Sequence, residues 1–502
     1  MKSIERIKSA KRAAAPLVAV NTSDPAASVA AIVAGVNGNG LRAVWDVVRG
    51  FRPANEESRE LLASAIGNED YAGNPIDAVL AVEKFPERSI TFIKMADRYL
   101  GKDGSEAFIQ AVWNSRDSLK VNGSMIILLG TQFAIPPELV NDIVLVDEQL
   151  PDDDALEGVI TAMSKDAEAA FGPSAKYDGE DVSRAVNAIR GLSAFGAEQA
   201  VAMSFSRQGA DMDSLWEFKR RQIEQTPGLS ICRSGMRFAD LGGLDRIKSY
   251  ASAILGGKRA PNAVVFLDEI EKAMAGSAGD TSGTSQDQLG TILSHMQDTG
   301  AVGMIFVGPP GAAKSAVAKA IGNEGGIPTV SFDLGASKGS LVGQSESRIR
   351  QALKVINAVS SGRALWIATS NNISSLPPEL RRRFKRGTFF FDLPGEDERE
   401  KIWEIYCEKY GIDNVQENRP VDAGWTGADI EQCVDIAWDL GLSLREAAEN
   451  VVPVSRSAPD VIERLRREAD GRYLSASHPG TYSMPGSRFN EKKIDKKFSD
   501  AT

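Results

Sequence analysis

From about Ala15 the chain alternates short apolar runs with stretches of helical period, the rhythm of a parallel sheet flanked by helices. The pattern predicts strands at Leu17-Val20, Ala43-Val48, Ile90-Met95, Met125-Leu129 and Ile143-Val146. Helices are predicted near Asp152-Ala170, Asp181-Arg190 and Ala197-Ser206, an α-rich stretch like a lid following an α/β core. A charged helix around Ser214-Gln225 runs into Thr226-Pro227-Gly228, a composition that breaks regular structure and marks a boundary. The rhythm then repeats, with strands at Val264-Leu267, Met304-Val307, Thr329-Phe332, Ala364-Ala368 and Phe389-Phe391, and helices from Glu396 to about Ala469. Two similar α/β modules in tandem are expected: residues 1–228, then a core over 229–394 with a helical lid over 395–472. The Pro- and Lys-rich end from 473 to 502 is expected to be a flexible tail.

With 502 residues, 42% of them hydrophobic, the chain is long enough for more than one cored domain. A formal charge of −10 argues against a surface devoted to nucleic acid. Three cysteines and two histidines, far apart, supply neither a disulfide framework nor metal-ligand spacing. No apolar stretch reaches the roughly 18 residues that cross a bilayer, and no signal-peptide core follows Met1-Arg12. The expected setting is the cytoplasm, without a membrane partner.

The chemistry lies in the second module. Met304-Val307, then Gly308-Pro309-Pro310-Gly311-Ala312-Ala313-Lys314-Ser315, then a helical run from Ala316, is a strand, a Gly-rich loop and a helix. In that context backbone N–H groups wrap phosphates, Lys314 reaches the β- and γ-phosphates, and Ser315 ligates Mg²⁺. Ala313 stands where glycine is expected; if the site demands positive φ, its Cβ costs roughly 1–2 kcal/mol. The bland alternative is a Gly/Pro turn before a surface helix.

The apolar run Val264-Leu267 ends in Asp268-Glu269, two carboxylates at the carboxyl end of a buried strand, where a doubly wound sheet binds its ligand. Asp268 is assigned to the metal and Glu269 to the attacking water. This acidic strand precedes the phosphate loop, and none lies between the helix Glu346-Val359 and the strand Ala364-Ala368. It is expected to fold back beside the loop strand in the same sheet. Asn371, ending another apolar strand, is placed to hydrogen-bond the lytic water or the γ-phosphate. The basic run Arg381-Arg386 offers an arginine to a neighbouring subunit's transition state, or is a solvated or nucleic-acid-contacting face.

Together these residues resemble the classical AAA clade of AAA+ ATPases over residues 236 to 470. The resemblance covers Asp240-Leu241-Gly242-Gly243-Leu244, the phosphate loop through Ala316, Asp268-Glu269, Asn371 and Thr426-Gly427-Ala428-Asp429. It implies a P-loop α/β core with a helical lid, and ATP with Mg²⁺ as cofactors. Leu241, Gly242, Gly427 and Ala428 would lie at the nucleotide, Asn371 would be the first sensor, and Arg381 or Arg383 the finger acting in trans. The family order places the acidic strand after the loop, so the βα units here are exchanged. Within the clade the chain is similar to the AAA family of conserved hypothetical chloroplast reading frames, in which a degenerate AAA module without a P-loop precedes an active one. Here Leu17-Val20 leads only into Asn21-Thr22-Ser23-Asp24-Pro25. The resemblance implies a homo-oligomeric ring, a hexamer, that remodels a protein client. Its pore would offer Ser340-Leu341-Val342 where relatives present an aromatic residue. A nucleotide-gated scaffold with little hydrolysis is the alternative reading, and a nucleic-acid motor a third.

Overall fold

The computed structural model describes residues 2–36, 40–67, 69, 71–100, 105–148, 150–233, 235–275, 284–335, 344–372, 378–413 and 418–485, apart from the side chains of 2, 273–275, 284–288, 344–347 and 378. The pore segment Ser340-Leu341-Val342 lies outside them. The chain forms two compact units, residues 1–159 with 192–199, and 160–191 with 200–502. The break falls earlier than the turn at Gly228 suggests, because the helix Met212–Glu224 packs on the helix Glu180–Ile189 and on the first strand of the second sheet. Lys219 fixes the helix pair by donating to the Asn187 carbonyl at 2.7 Å.

The first unit holds six strands, β1 (Leu17–Asn21), β2 (Arg42–Asp46), β3 (Gly50–Pro53), β4 (Ile90–Ile93), β5 (Met125–Gly130) and β6 (Ile143–Asp147), in the order β3-β2-β4-β5-β1-β6. Only the β2–β3 pair is antiparallel. β3 was not expected; it carries Pro53 at the sheet edge, where a missing N–H costs no ladder bond.

In the second unit a two-stranded ribbon, β7 (Phe205–Ser206) and β8 (Gly209–Ala210), precedes a seven-stranded sheet. Its strands are β9 (Leu229–Ile231), β10 (Ala263–Leu267), β11 (Val302–Val307), β12 (Thr329–Phe332), β13 (Ala364–Ser370), β14 (Thr388–Phe390) and β15 (Leu474–Ser475). They lie in the order β15-β14-β11-β13-β10-β12-β9. Alternate residues of the central strands feed separate cores. Val265, Leu267, Ile305, Val307 and Trp366 face one layer of helices, and Val264, Phe266, Met304, Phe306 and Leu365 the other. Strands buried on both faces read as continuous apolar runs, which is why they were visible in the sequence.

The acidic strand β10 lies in the loop strand's sheet, separated from β11 by β13 alone. Each of its two neighbours, β13 and β12, runs parallel to it. The two sheets also match place for place: β6, β1, β5, β4, β2 and antiparallel β3 correspond to β14, β11, β13, β10, β12 and antiparallel β9. In the first sheet the strand in β10's place, β4, follows β1 in the chain; in the second, β10 comes before β11.

The expectation of a flexible tail from 473 is corrected as far as residue 485. β15 pairs with β14, Tyr482 is buried against the Phe390 ring at 4.5 Å, and its hydroxyl donates to Asp392 at 2.6 Å. A two-residue strand and one anchoring tyrosine, set among Ser, Pro and Gly, leave no periodic signal.

Candidate nucleotide site

β11 ends at Val307 and the loop turns sharply into the helix Lys314–Glu324. Gly308 has φ 159°, and a Cβ there would stand 2.1 Å from the Phe391 carbonyl. Gly311 has φ 79° and presses on Thr426, where a Cβ would meet the hydroxyl at 2.7 Å. Ala313, the residue before the lysine, is left-handed at φ 60°, ψ 15°. This position thus has the conformation that favours glycine, and an alanine holds it.

Lys314 is buried and donates to the carbonyls of Gly308 at 2.9 Å and Pro309 at 2.7 Å. Burial pulls its ammonium down to about 8, against the opposing pull of Glu271, Asp268 and Glu269. The next residue makes the central contact: Ser315 Oγ donates to Asp268 Oδ1 at 2.8 Å. Forty-seven positions apart in sequence, the two side chains meet because β10 and β11 end on the same edge of the sheet.

Thr369, on β13 between them, carries no motif signal of its own in the sequence. Its buried hydroxyl donates to Asp268 Oδ1 at 2.6 Å and accepts the Glu269 N–H at 2.9 Å. Glu269 makes that second bond at φ 46°, a strained value for a non-glycine residue. Asn371 then reaches Glu269 Oε1 through its amide at 3.0 Å, and its backbone N–H donates to Glu271 Oε1 at 2.9 Å. Lys272 pairs with the other oxygen of Glu269. Glu271, too, escaped the sequence reading as a site residue, since one acid among several after a strand carries no distinguishing signal.

Asp268, Glu269, Thr369 and Asn371 line a cleft of about 450 Å³ with Met236, Leu241, Pro310 to Ala316, Tyr406, Gly427, Ala428 and Glu431. The side carrying Gly427 and Ala428 is held by a capping box at Thr426 and Asp429, which starts the helix Gly427–Leu440. Gly308, Pro309 and Gly242 stand outside the cleft wall; Gly242 lets the chain pass Ile402, which a Cβ would approach to 2.4 Å. Arg381 and Arg383 do not line their own chain's cleft. They lie on the helix Pro378–Arg383, where Arg381 donates to the Tyr473 hydroxyl at 3.2 Å.

The equivalent edge of the first sheet has different chemistry. Ile93 pairs with Leu128 as Leu267 pairs with Ala368, so Lys94 and Met95 take the places of Asp268 and Glu269. Met95 keeps the positive φ, 54°. Asp97 accepts the Thr131 N–H at 3.1 Å, as Glu271 accepts that of Asn371. After β1, Asp24 caps the helix Pro25–Gly35 in place of a glycine-rich loop.

Carboxylate and hydroxyl oxygens at the mouth of the cleft form a hard-donor set suited to Mg²⁺, with Asp268 and Ser315 as the residues that would hold it.

A family model described as the SpoVK-like AAA ATPase, N-terminal domain, matches residues 3–148. A second, the ATPase family associated with various cellular activities, matches residues 304–362, beginning on the loop strand and leaving Asp268 and Glu269 ahead of it. Among curated proteins, an uncharacterized AAA domain-containing protein ycf46 of Guillardia theta is 23% identical, over 93% of this chain and 94% of its own. Its namesakes in Trieres chinensis (24%, over 78% and 79%) and Gracilaria tenuistipitata var. liui (25%, over 72% and 76%) are similar. With the cleft described above, these matches support an AAA-family ATPase, residues 3–148 being similar to a SpoVK-like N-terminal domain and residues 304–362 to an AAA domain.

Proposed function

We propose that the second unit binds and hydrolyses ATP and that the protein works as an oligomeric ring, a hexamer by family likeness, that couples turnover to remodelling of a protein client. The observation that carries this reading is the 2.8 Å contact between Ser315 and Asp268. It joins the phosphate hook to the carboxylate pair although β10 stands first in the chain. We read β10 and its helix as a βα unit displaced ahead of the loop strand; the first sheet, with β4 after β1, keeps the undisplaced order. Such an exchange reroutes connections yet leaves side chains at the same edge.

In this reading Lys314 gives up its loop carbonyls for the β- and γ-phosphates, while the loop N–H groups and the helix N-terminus add favourable field. Mg²⁺, when bound, would supply charge neutralisation between the phosphates. Glu269 orients and polarises the attacking water, and Asn371, already on Glu269 Oε1, holds that water from the other side. Arg383 or Arg381 enters a neighbour's site. Met236, Leu241, Tyr406, Gly427 and Ala428 form the end of the cleft that takes the base. The first unit, with Lys94 where a metal-binding acid would stand and no phosphate loop, is a non-binding copy. Three free thiols, two of them buried, suit a reducing compartment such as the cytoplasm.

The test is ATP turnover of the wild type, Glu269→Gln and Arg383→Ala. Turnover falling at least about a hundredfold in the first and substantially in the second is expected; equal rates in all three refute the assignments. A second reading, a nucleotide-gated scaffold, is favoured by one observation, the left-handed Ala313. If Ala313→Gly binds ATP tightly and still turns over negligibly, the scaffold reading stands without loop strain as its cause.

A further inference from the structure

At the amino-terminal ends of β10, β11 and β13, opposite the nucleotide cleft, lies an open groove of about 690 Å³. Lys258, Arg259, Arg363 and Arg386 line it, and among the described residues no carboxylate does. Its floor is apolar, with Ile254, Pro261 and Val302. Arg363 uses one N–H on Asn262 at 3.0 Å, and the Tyr250 hydroxyl donates to the Arg386 carbonyl at 3.1 Å, which fixes that side of the rim.

The bland account is that these cations offset the carbonyl ends of helices. Three helices end here, Asp245–Leu255, Thr284–Asp298 and Gln344–Ser360. Each contributes roughly half a negative charge, which leaves about two and a half positive charges uncompensated. Asp298, ending one of the helices, reduces this excess without cancelling it. A concentrated positive field in a chain of net charge −10 is not a by-product of composition.

We infer that this groove docks an acidic segment of a protein partner, with Asp or Glu interleaved with apolar residues. The rim cations match the carboxylates and the apolar floor takes the side chains between them. Nucleic acid fits less well, since a duplex carries one charge per roughly 1.7 Å and would meet the repulsion of the whole chain while leaving the apolar floor unused. The inference does not depend on ATP hydrolysis, because no residue of the nucleotide cleft takes part.

The test is fluorescence anisotropy on the full chain with a short labelled peptide alternating Asp and Leu, beside its Asn/Leu counterpart and a single-stranded DNA probe. Binding of the acidic peptide alone, weakening as salt rises from about 0.05 to 0.3 M, is expected. The exposed pair Lys258→Glu/Arg259→Glu should weaken it about tenfold or more, and Lys258→Gln/Arg259→Gln less, with thermal midpoints unchanged. No binding of the acidic peptide, binding indifferent to both double variants, or DNA bound more tightly than the peptide would each overturn the inference.

Discussion

At the scale of single residues the site depends on two backbone positions that are costly to hold. Ala313 pays for a left-handed conformation that glycine adopts freely. Replacing it by glycine removes roughly 1–2 kcal/mol of strain and gives back about 0.5–1 through the freer unfolded chain. A net gain near 0.5–1 kcal/mol in chemical denaturation is therefore expected, with tighter ATP binding. Glu269, at positive φ, donates its N–H to the hydroxyl of Thr369, which also grips Asp268. Thr369→Val keeps shape and removes both bonds, so turnover should drop by about tenfold or more with ATP affinity less affected, and Thr369→Ser should restore much of it. Of this residue-scale picture, Lys314, Ser315, Asp268, Glu269 and Asn371 were legible because each sits at a fixed offset from a strand end. Thr369 and Glu271 were not, because their roles exist only once β10 and β13 lie side by side.

At the scale of elements the helix pair 180–189 and 212–224 carries a measurable signature. Lys219 is fully buried, and desolvation, with Arg190 nearby adding to it, brings its pKa from 10.5 to about 7. Between pH 7 and 10 the unfolded chain holds this proton and the folded one does not, so stability should rise with pH across that window. Lys219→Met, similar in length and apolar, should flatten the rise; an unchanged slope in urea titrations at several pH values would contradict the assignment. The strands show the same limit of legibility: the central ones are buried and largely apolar, whereas β3, β9 and β15 are short edges, the last two defined by partners far away in sequence. Tyr482 beside β14 is the clearest case. Tyr482→Ala removes the ring from Phe390 and the bond to Asp392, at an expected cost of roughly 3 kcal/mol in thermal or urea unfolding.

At the scale of the whole molecule, one chain contains the same sheet order twice, once with the strand in β10's place following the loop-position strand and once preceding it. The first copy retains the turn geometry at Met95 and the carboxylate at Asp97 but has Lys94 where Asp268 stands in the second. Fold and chemistry are thus separable: the turn survives without the acid at the Asp268 place. In the proposed mechanism Asp268, encoded before the loop, and Ser315, encoded within it, act on one metal. A double-mutant cycle of Asp268→Ala and Ser315→Ala on Mg²⁺-dependent ATP affinity measures this directly. Coupling of about 1 kcal/mol or more is expected, the double variant binding little worse than either single one. Additive losses, within about 0.5 kcal/mol, would mean that the two residues serve separate ends.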